Sequence, residues 1–121
     1  MSEKSIAQKL YVKNARAIAV VNADEANRAM LGELPPAVAE GAPADLIVVF
    51  VNGRQEMEAL LPAAQARLLP QGALWVAYKK GGAKREIHRD SIAAYAGSIG
   101  MEPVAIISLD ADWSCLRLKQ N

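Results

Sequence analysis

The chain of 121 residues contains a single cysteine, Cys115, and a single histidine, His88. One cysteine cannot form a disulfide within the chain, and one cysteine with one histidine cannot supply the four ligands of a structural zinc site. The sequence therefore excludes a scaffold held by disulfides and a zinc site built from these ligands. We expect a cytoplasmic protein without a metal site.

An excess of charge of either sign is also absent, because 14 lysines and arginines face 13 acidic residues and leave a net charge of +1. Without a basic field, we expect neither nucleic-acid binding nor attraction to an anionic membrane. The longest apolar run, residues 46–51, is too short to span a bilayer. With 121 residues, of which 52% are hydrophobic, the chain is predicted to fold as one domain over residues 1–121.

Short apolar runs without polar alternation are typical of strands buried on both faces of a sheet. Residues 17–21, 46–51 and 73–78 have this pattern. Two further strands are predicted at residues 103–109 and 113–119, with only three residues between them. Because that link is too short for a parallel crossover, these last two strands must form an antiparallel hairpin.

Helical patterns separate the strands. Residues 24–31 carry acidic side chains at the start, residues 54–69 have an apolar stripe, and residues 91–98 follow Asp90, a candidate N-cap. Pro62 predicts a kink or a break into two pieces in the middle helix, since it removes one backbone donor. The element order predicts a doubly wound, mostly parallel sheet of about five strands that ends in a C-terminal antiparallel hairpin.

Four segments carry a resemblance to known proteins: residues 9–13 (KLYVK), 31–35 (LGELP), 72–80 (GALWVAYKK) and 112–118 (DWSCLRL). Through them the chain is similar to a family of small, uncharacterised bacterial proteins, a domain of unknown function with a methyltransferase-like, Rossmann-like fold. The resemblance implies a truncated version of that fold, in which the terminal hairpin is a regular feature. It implies no activity.

A cofactor site in such a fold needs glycine in the turn after the first strand, because only glycine lets the backbone approach a phosphate or ribose. Residues 20–27 (VVNADEAN) contain no glycine, and Asp24 and Glu25 would repel a pyrophosphate. The next strand, which would supply the ribose-binding acid, is reduced to a stretch around Val38. Both absences predict that no nucleotide or S-adenosylmethionine is bound, so we expect no cofactor.

A ligand of this fold would still bind at the carboxyl ends of the strands. Six polar residues are expected to meet there: Asn22, Asp24, Asn52, Arg54, Lys79 and Lys80. They suit a small anionic ligand, but strand ends are also polar simply because loops are solvated. The basic residues 79–85 (KKGGAKR) leave the same two interpretations, an anion-binding lid or a solvated loop.

Histidine is the residue type best suited to general-base chemistry at neutral pH, but His88 has no serine or cysteine nucleophile in a recognisable motif beside it. We therefore interpret it as a surface residue and predict no catalytic residue. Cys115 lies within a predicted strand and is interpreted as a small space-filling residue.

Trp113 and Arg117 are four residues apart on a strand and so share a face, where a guanidinium can lie over or beside an indole. Asp110 or Asp112 is within reach of the arginine. This arrangement predicts a structural clasp that closes the hairpin.

These observations favour a non-catalytic binding or interaction module on a degenerate methyltransferase-like fold. Its partner would be another protein or a second copy of the chain, held through the hairpin edge or an exposed helix face. The alternative is a small-ligand or anion-binding protein, or an enzyme of unknown type, that uses the strand-end groups. A methyltransferase with an unusual loop is a third, weaker hypothesis.

Overall fold

A computed structural model of the chain describes residues 17–31, 42–81, 87–109 and 111–120. Some predictions fall on residues outside the described ones. These residues are Val38, Asp110 and residues 82–85 of the basic segment. In chain order the elements are β1 (Ile18–Val21), α1 (Glu25–Leu31), β2 (Ala44–Phe50), α2 (Arg54–Arg67), β3 (Leu68–Lys79), α3 (Arg89–Ser98), β4 (Met101–Ser108) and β5 (Trp113–Gln120).

The described strands form one sheet in the order β1-β2-β3-β5-β4. β1, β2 and β3 are paired in parallel, whereas β5 is antiparallel to both of its neighbours, β3 and β4. The α/β class and the terminal hairpin agree with the sequence prediction, but the prediction of a mostly parallel sheet is wrong. The sheet is mixed because β5 returns between β3 and β4 and so makes two of the four strand pairings antiparallel.

Helices cover both faces of the sheet. α2 and α3 pack on one face through buried side chains such as Met57, Leu61 and Ile92. The opposite face carries Phe50 and the fully buried Trp75, and Met30 of α1 packs against it. Since burying one large apolar side chain contributes about 1.5–3 kcal/mol, these two layers supply most of the stabilisation that orients the strand ends.

α2 runs without interruption through Pro62, so the predicted division into two pieces is wrong. Proline lacks an N–H, and in a regular helix the carbonyl of Glu58, four residues earlier, would lose its partner. Here the hydroxyl of Tyr95, which belongs to α3, donates to the Glu58 oxygen at 3.2 Å. A tertiary hydrogen bond thus replaces the missing helical one.

α3 begins earlier than expected, and its N-cap is His88 rather than Asp90. The His88 Nδ1 atom accepts from the backbone N–H of Asp90 at 3.3 Å, and Ser91 Oγ accepts from the backbone N–H of His88 at 2.7 Å. This reciprocal pair is a capping box in which a histidine takes the usual place of serine or threonine. Asp90 lies in the first turn instead, where its negative charge is favoured.

Candidate functional site

The carboxyl ends of β1, β2 and β3 lie at the same edge of the sheet because the three strands are parallel. The helix after β1 packs on one face and the helix after β2 on the other. The ends of β1 and β2 therefore flank the point where the connections change face. In open α/β sheets this switch point is where ligands bind.

At the switch point Glu56, near the start of α2, collects three hydrogen bonds on one carboxylate oxygen. Asn22 Nδ2 donates to Glu56 Oε1 at 3.0 Å, the Asn52 backbone N–H at 2.9 Å and Asn52 Nδ2 at 3.1 Å. Asn22 Nδ2 also donates to the Phe50 carbonyl oxygen at 2.8 Å. We call Asn22, Asn52 and Glu56 the Glu56 network; it bonds the ends of β1 and β2 to the helix that follows β2.

Asn22 has a left-handed backbone, with φ of 62°. This conformation favours glycine, and asparagine is among the few other residues that tolerate it. The turn after β1 therefore keeps a left-handed position without a glycine, and the side chain at that position enters the network. Asn22 and Asn52 are among the residues predicted from the sequence, but Glu56 is not; its only signal in the sequence is its spacing of four residues from Asn52 in the first turn of a helix.

Asp24 is engaged in starting α1. Its carboxylate Oδ1 accepts from the backbone N–H of Asn27 at 2.7 Å, and Asn27 Oδ1 accepts from the backbone N–H of Asp24 at 3.2 Å. The two residues form a second reciprocal capping pair, and Asn27 is buried. The geometry thus gives Asp24 a helix-capping role.

The three candidate cations contact residues outside the Glu56 network. Arg54 forms an ion pair with Glu58, one turn along α2, at 3.7 Å, and both side chains are about half exposed. Lys79 Nζ lies 5.7 Å from the centre of the Trp113 ring. Lys80 Nζ donates to Ser108 Oγ of β4 at 2.6 Å. Of the six predicted residues, Asn22 and Asn52 are the two that share a hydrogen-bond partner, Glu56.

A second polar place at this edge is a cavity of about 290 Å³ beyond the end of β3. We call it the α3 pocket, because the start of α3 forms one wall. Its lining residues are Tyr78, Lys80, Gly81, His88, Arg89, Asp90, Ile106 and Ser114.

Strand register builds the floor of the α3 pocket. Tyr78 of β3 pairs with Ser114 of β5, and Ser114 pairs with Ser108 of β4, so the three side chains point to the same face. Tyr78 belongs to the apolar cluster beneath α2 and α3, which identifies that face as the one covered by α3. Ile106, two residues from Ser108, extends the floor along β4.

Positive charge exceeds negative charge among the described lining residues of the α3 pocket. Lys80 and Arg89 are cations, whereas Asp90 is the single carboxylate of that described lining and pairs with Arg89 at 3.6 Å. Because His88 Nδ1 is an acceptor, the neutral imidazole carries its proton on Nε2. Burial raises the pKa of Tyr78 more than the charge of Arg89 lowers it, which favours the neutral hydroxyl.

The base of the hairpin is closed by contacts around Trp113. The Trp113 ring meets Phe50 edge to face, with 5.3 Å between ring centres, and Lys79 is the cation above it. The Lys80 backbone N–H donates to the Asp112 carbonyl oxygen at 2.8 Å. Arg117 is paired in register with Trp75 on β3 and Ala105 on β4. Of the predicted clasp residues, Trp113 and Arg117 lie on β5 and Asp112 directly precedes it, whereas Asp110 lies outside the described residues. Phe50 and Lys79 are contacts of Trp113 that the sequence did not indicate.

Cys115 is completely buried on the sheet face that carries Phe50 and Trp113. Burial raises the pKa of its thiol well above the ordinary value. A protonated, inaccessible thiol neither ligates metal nor attacks a substrate. Its surroundings agree with the interpretation of a space-filling residue.

Solved structures with a similar fold are methyltransferases. The tRNA methyltransferase TrmK of B. subtilis matches with a TM-score of 0.60 at 15% identity, over 100% of this chain and 67% of that one. The N-methyltransferase NodS of Bradyrhizobium japonicum matches with 0.59 at 12% identity, over 93% and 91%. A ribosomal protein methylase of Lactobacillus delbrueckii subsp. bulgaricus matches with 0.56 at 12% identity, over 88% of this chain. The chain has a methyltransferase-like fold.

This likeness concerns the fold alone, since the identities are only 12–15%. The chain spans 58% of the length of the Lactobacillus methylase. No protein-family model matches the sequence, and no curated protein sequence matches it.

The described residues offer neither a cluster of metal ligands nor a membrane-spanning helix. Within residues 17–31, 42–81, 87–109 and 111–120, no group of three or more histidine, cysteine or acidic side chains is placed to hold a metal ion. None of the helices in those segments is long and apolar enough to cross a bilayer.

Proposed function

We propose that this chain is a non-catalytic binding module on a methyltransferase-like fold, without a nucleotide cofactor. The observation that carries the proposal is the Glu56 network at the switch point. Three donors at the ends of β1 and β2 are engaged with one carboxylate oxygen of the chain itself. They are the groups that would otherwise meet a ligand at this place in the sheet.

Sterics and charge support the same conclusion. A bound ribose or phosphate needs the main chain after β1 to be approachable, and the Asn22 side chain stands at that point. Glu56 at the centre of the network, with Asp24 and Glu25 at the start of α1, adds negative charge close to the switch point. An anionic phosphate would be repelled there, and a ribose would have to displace hydrogen bonds already made within the protein.

Thermal unfolding tests the cofactor part of this proposal. S-adenosylmethionine, S-adenosylhomocysteine, NAD and ATP are each added in millimolar excess, and the melting midpoint is expected not to change. A ligand of the folded state at 100 times its Kd would add about 2.7 kcal/mol and raise the midpoint by several degrees. Such a rise with any of the four compounds would contradict the proposal.

For the binding surface, we propose the outer edge of β4, with a second copy of the chain as the partner. β4 is the last strand of the described sheet, and Val104 and Ile106 on it are 46% and 47% exposed. An antiparallel edge is self-complementary about a two-fold axis. The bulge between Pro103 and Ala105, together with the missing N–H of Pro103, restricts regular pairing to the following residues.

Light scattering tests the dimer. The wild-type chain is expected to have twice the monomer mass, and Val104→Lys is expected to be monomeric because it sets two like charges against each other across the axis. Leu69→Lys is the matched control, since Leu69 is 38% exposed and lies at the start of β3, away from β4; this variant should stay dimeric. A monomeric wild-type chain at high concentration would refute the choice of partner.

A further inference from the structure

We infer that the α3 pocket binds a small oxyanion, a carboxylate or a phosphate, between the end of β3 and the start of α3. This deepens the proposed function by naming a ligand class for the binding module, and it rests on that function. The pocket is distinct from the switch point, because it is built by β3, β4, β5 and α3 rather than by β1, β2 and α2.

The described lining residues come from three strands and from the start of α3, and they border one cavity that is open to solvent. Its volume of about 290 Å³ lies at the lower end of the range for small-molecule pockets. Tyr78 and Ser114 form the floor, His88 and Arg89 one wall, and Gly81 part of the rim. Gly81 has φ of 141°, a conformation reserved for glycine, so its main chain borders the pocket without a side chain in the way.

The charged and polar groups of the described lining favour an anion. Lys80 and Arg89 supply positive charge from two different elements, and His88 presents Nε2–H because its Nδ1 is engaged as the helix cap. Asp90 is the one carboxylate among the described lining residues; its side chain is 78% exposed and paired with Arg89. An oxyanion placed here would accept charge-assisted hydrogen bonds, whereas a cation would meet two like charges.

Hydrogen bonds within the protein hold Lys80 and the first turn of α3 in place without a ligand. Lys80 Nζ is fixed by its hydrogen bond to Ser108, and the Lys80 main chain by its bond to the Asp112 carbonyl. The His88–Ser91 capping box fixes the first turn of α3. The N-terminus of α3 is the positive end of the helix dipole and adds a favourable electrostatic potential for an anion. Ile106 gives the pocket one apolar wall, which suits an oxyanion attached to a short carbon body.

The test uses the full chain, with inorganic phosphate and benzoate as separate probes at constant ionic strength. Amide NMR shifts are expected to move and saturate at Lys80, Gly81 and the first turn of α3 with at least one probe at millimolar concentration. Tighter binding of benzoate identifies a carboxylate ligand, and tighter binding of phosphate identifies a phosphate. If neither probe gives saturable shifts in the pocket, the inference is wrong.

Charge-neutralising variants distinguish anion binding in the α3 pocket from attraction to the general surface charge of the protein. Arg89→Gln and Lys80→Gln should each weaken binding about tenfold, the equivalent of roughly 1.4 kcal/mol. Lys119→Gln removes an exposed cation of β5 that pairs with Glu102, outside the pocket lining, and should leave binding unchanged. Equal weakening in all three variants would overturn the inference.

The outcome is independent of the cofactor test. Phosphate or benzoate binding that disappears in Arg89→Gln supports the pocket whatever the cofactor melts show. A melting shift with S-adenosylmethionine that persists in Arg89→Gln contradicts the proposed function and leaves the pocket standing.

Discussion

Two polar places lie at the same edge of this sheet, and they differ in how their polar groups are used. At the ends of β1 and β2, the Glu56 network bonds side chains of the protein to one another around a negative charge. At the end of β3, the α3 pocket is a cavity whose described lining residues include two cations and one carboxylate. Location at the strand ends is therefore insufficient to define a binding site in this fold.

The two places differ in which elements of the fold supply the residues around them. Glu56 reaches Asn22 and Asn52 from the first turn of the helix that directly follows β2, so a short local connection closes the switch point. The α3 pocket is framed by the hairpin strands and by a helix whose first turn is held by its own capping box. In this domain the side chain in the turn after β1 is engaged in hydrogen bonds within the protein, and the described residues beyond the end of β3 border a cavity.

The largest effect is expected from removing the centre of the Glu56 network. Glu56→Ala should lower the free energy of unfolding by about 2 kcal/mol, because three hydrogen bonds to one carboxylate oxygen are lost at a partly exposed site. Glu58→Ala, two residues away on α2, removes only a half-exposed ion pair and should cost less than about 0.5 kcal/mol. Chemical denaturation measures both. Equal losses of unfolding free energy in the two variants would show that the Glu56 network stabilises the protein no more than an exposed ion pair does.

The next effect concerns Tyr78 in the α3 pocket at alkaline pH. Burial raises the pKa of Tyr78 above its ordinary value of 10.0, so the unfolded chain loses this proton first. The stability linked to the neutral phenol is complete below about pH 10 and is lost as the pH rises towards the folded pKa, with a slope of at most about 1.4 kcal/mol per pH unit.

Tyr78→Phe should remove that slope. Both proteins carry Cys115→Ala, because burial also raises the pKa of the Cys115 thiol and its titration would add a slope of the same sign. Denaturation curves at several pH values above 9 provide the comparison. Parallel pH profiles in the two proteins would show that the Tyr78 hydroxyl is not buried in the way described.

A smaller effect tests the left-handed turn at the switch point. Asn22→Gly and Asn22→Ala lose the same side-chain hydrogen bonds, but only alanine must adopt φ of 62° at a steric cost. The alanine variant should therefore be less stable than the glycine variant by about 1–2 kcal/mol. Urea denaturation of the pair isolates the backbone term. If alanine is as stable as glycine, the turn after β1 is not left-handed.

The smallest effect is at the wall of the α3 pocket. His88→Ala removes the acceptor of the α3 cap and should cost about 1 kcal/mol, whereas His88→Asn, a good capping residue, should retain most of the stability. Thermal melts of the two variants compare a lost cap with a replaced one. Equal destabilisation by both substitutions would mean that the ring of His88 stabilises the protein through packing rather than as a cap.

Much of the fold was predictable because local patterns carry it. The buried runs that contain Ile47 and Trp75 gave β2 and β3, and the three-residue link before Trp113 allowed only a hairpin. The predictions failed where the structure of an element depends on contacts that its own sequence pattern does not show. Pro62 predicted a kink or a break into two pieces, and the break is wrong; the hydroxyl that bonds the Glu58 carbonyl oxygen belongs to Tyr95, more than thirty positions away. The sequence predicts Asp90 as the cap of α3, whereas the cap is His88, two residues before it.

By itself the sequence determined the element types, the terminal hairpin and the absence of glycine from residues 20–27, because periodicity, link length and residue type are local properties. Only the tertiary structure decided which strand lies beside which. The insertion of β5 between β3 and β4 makes the sheet mixed, and it puts Ser114 beside Tyr78 in the floor of the α3 pocket. Strand order depends on pairing between distant segments, and a hydrophobic pattern of period 2 or 3.6 does not encode it. For the same reason, Asn22 and Asn52 were visible as polar strand ends, while their shared partner Glu56 emerged only from the folded chain.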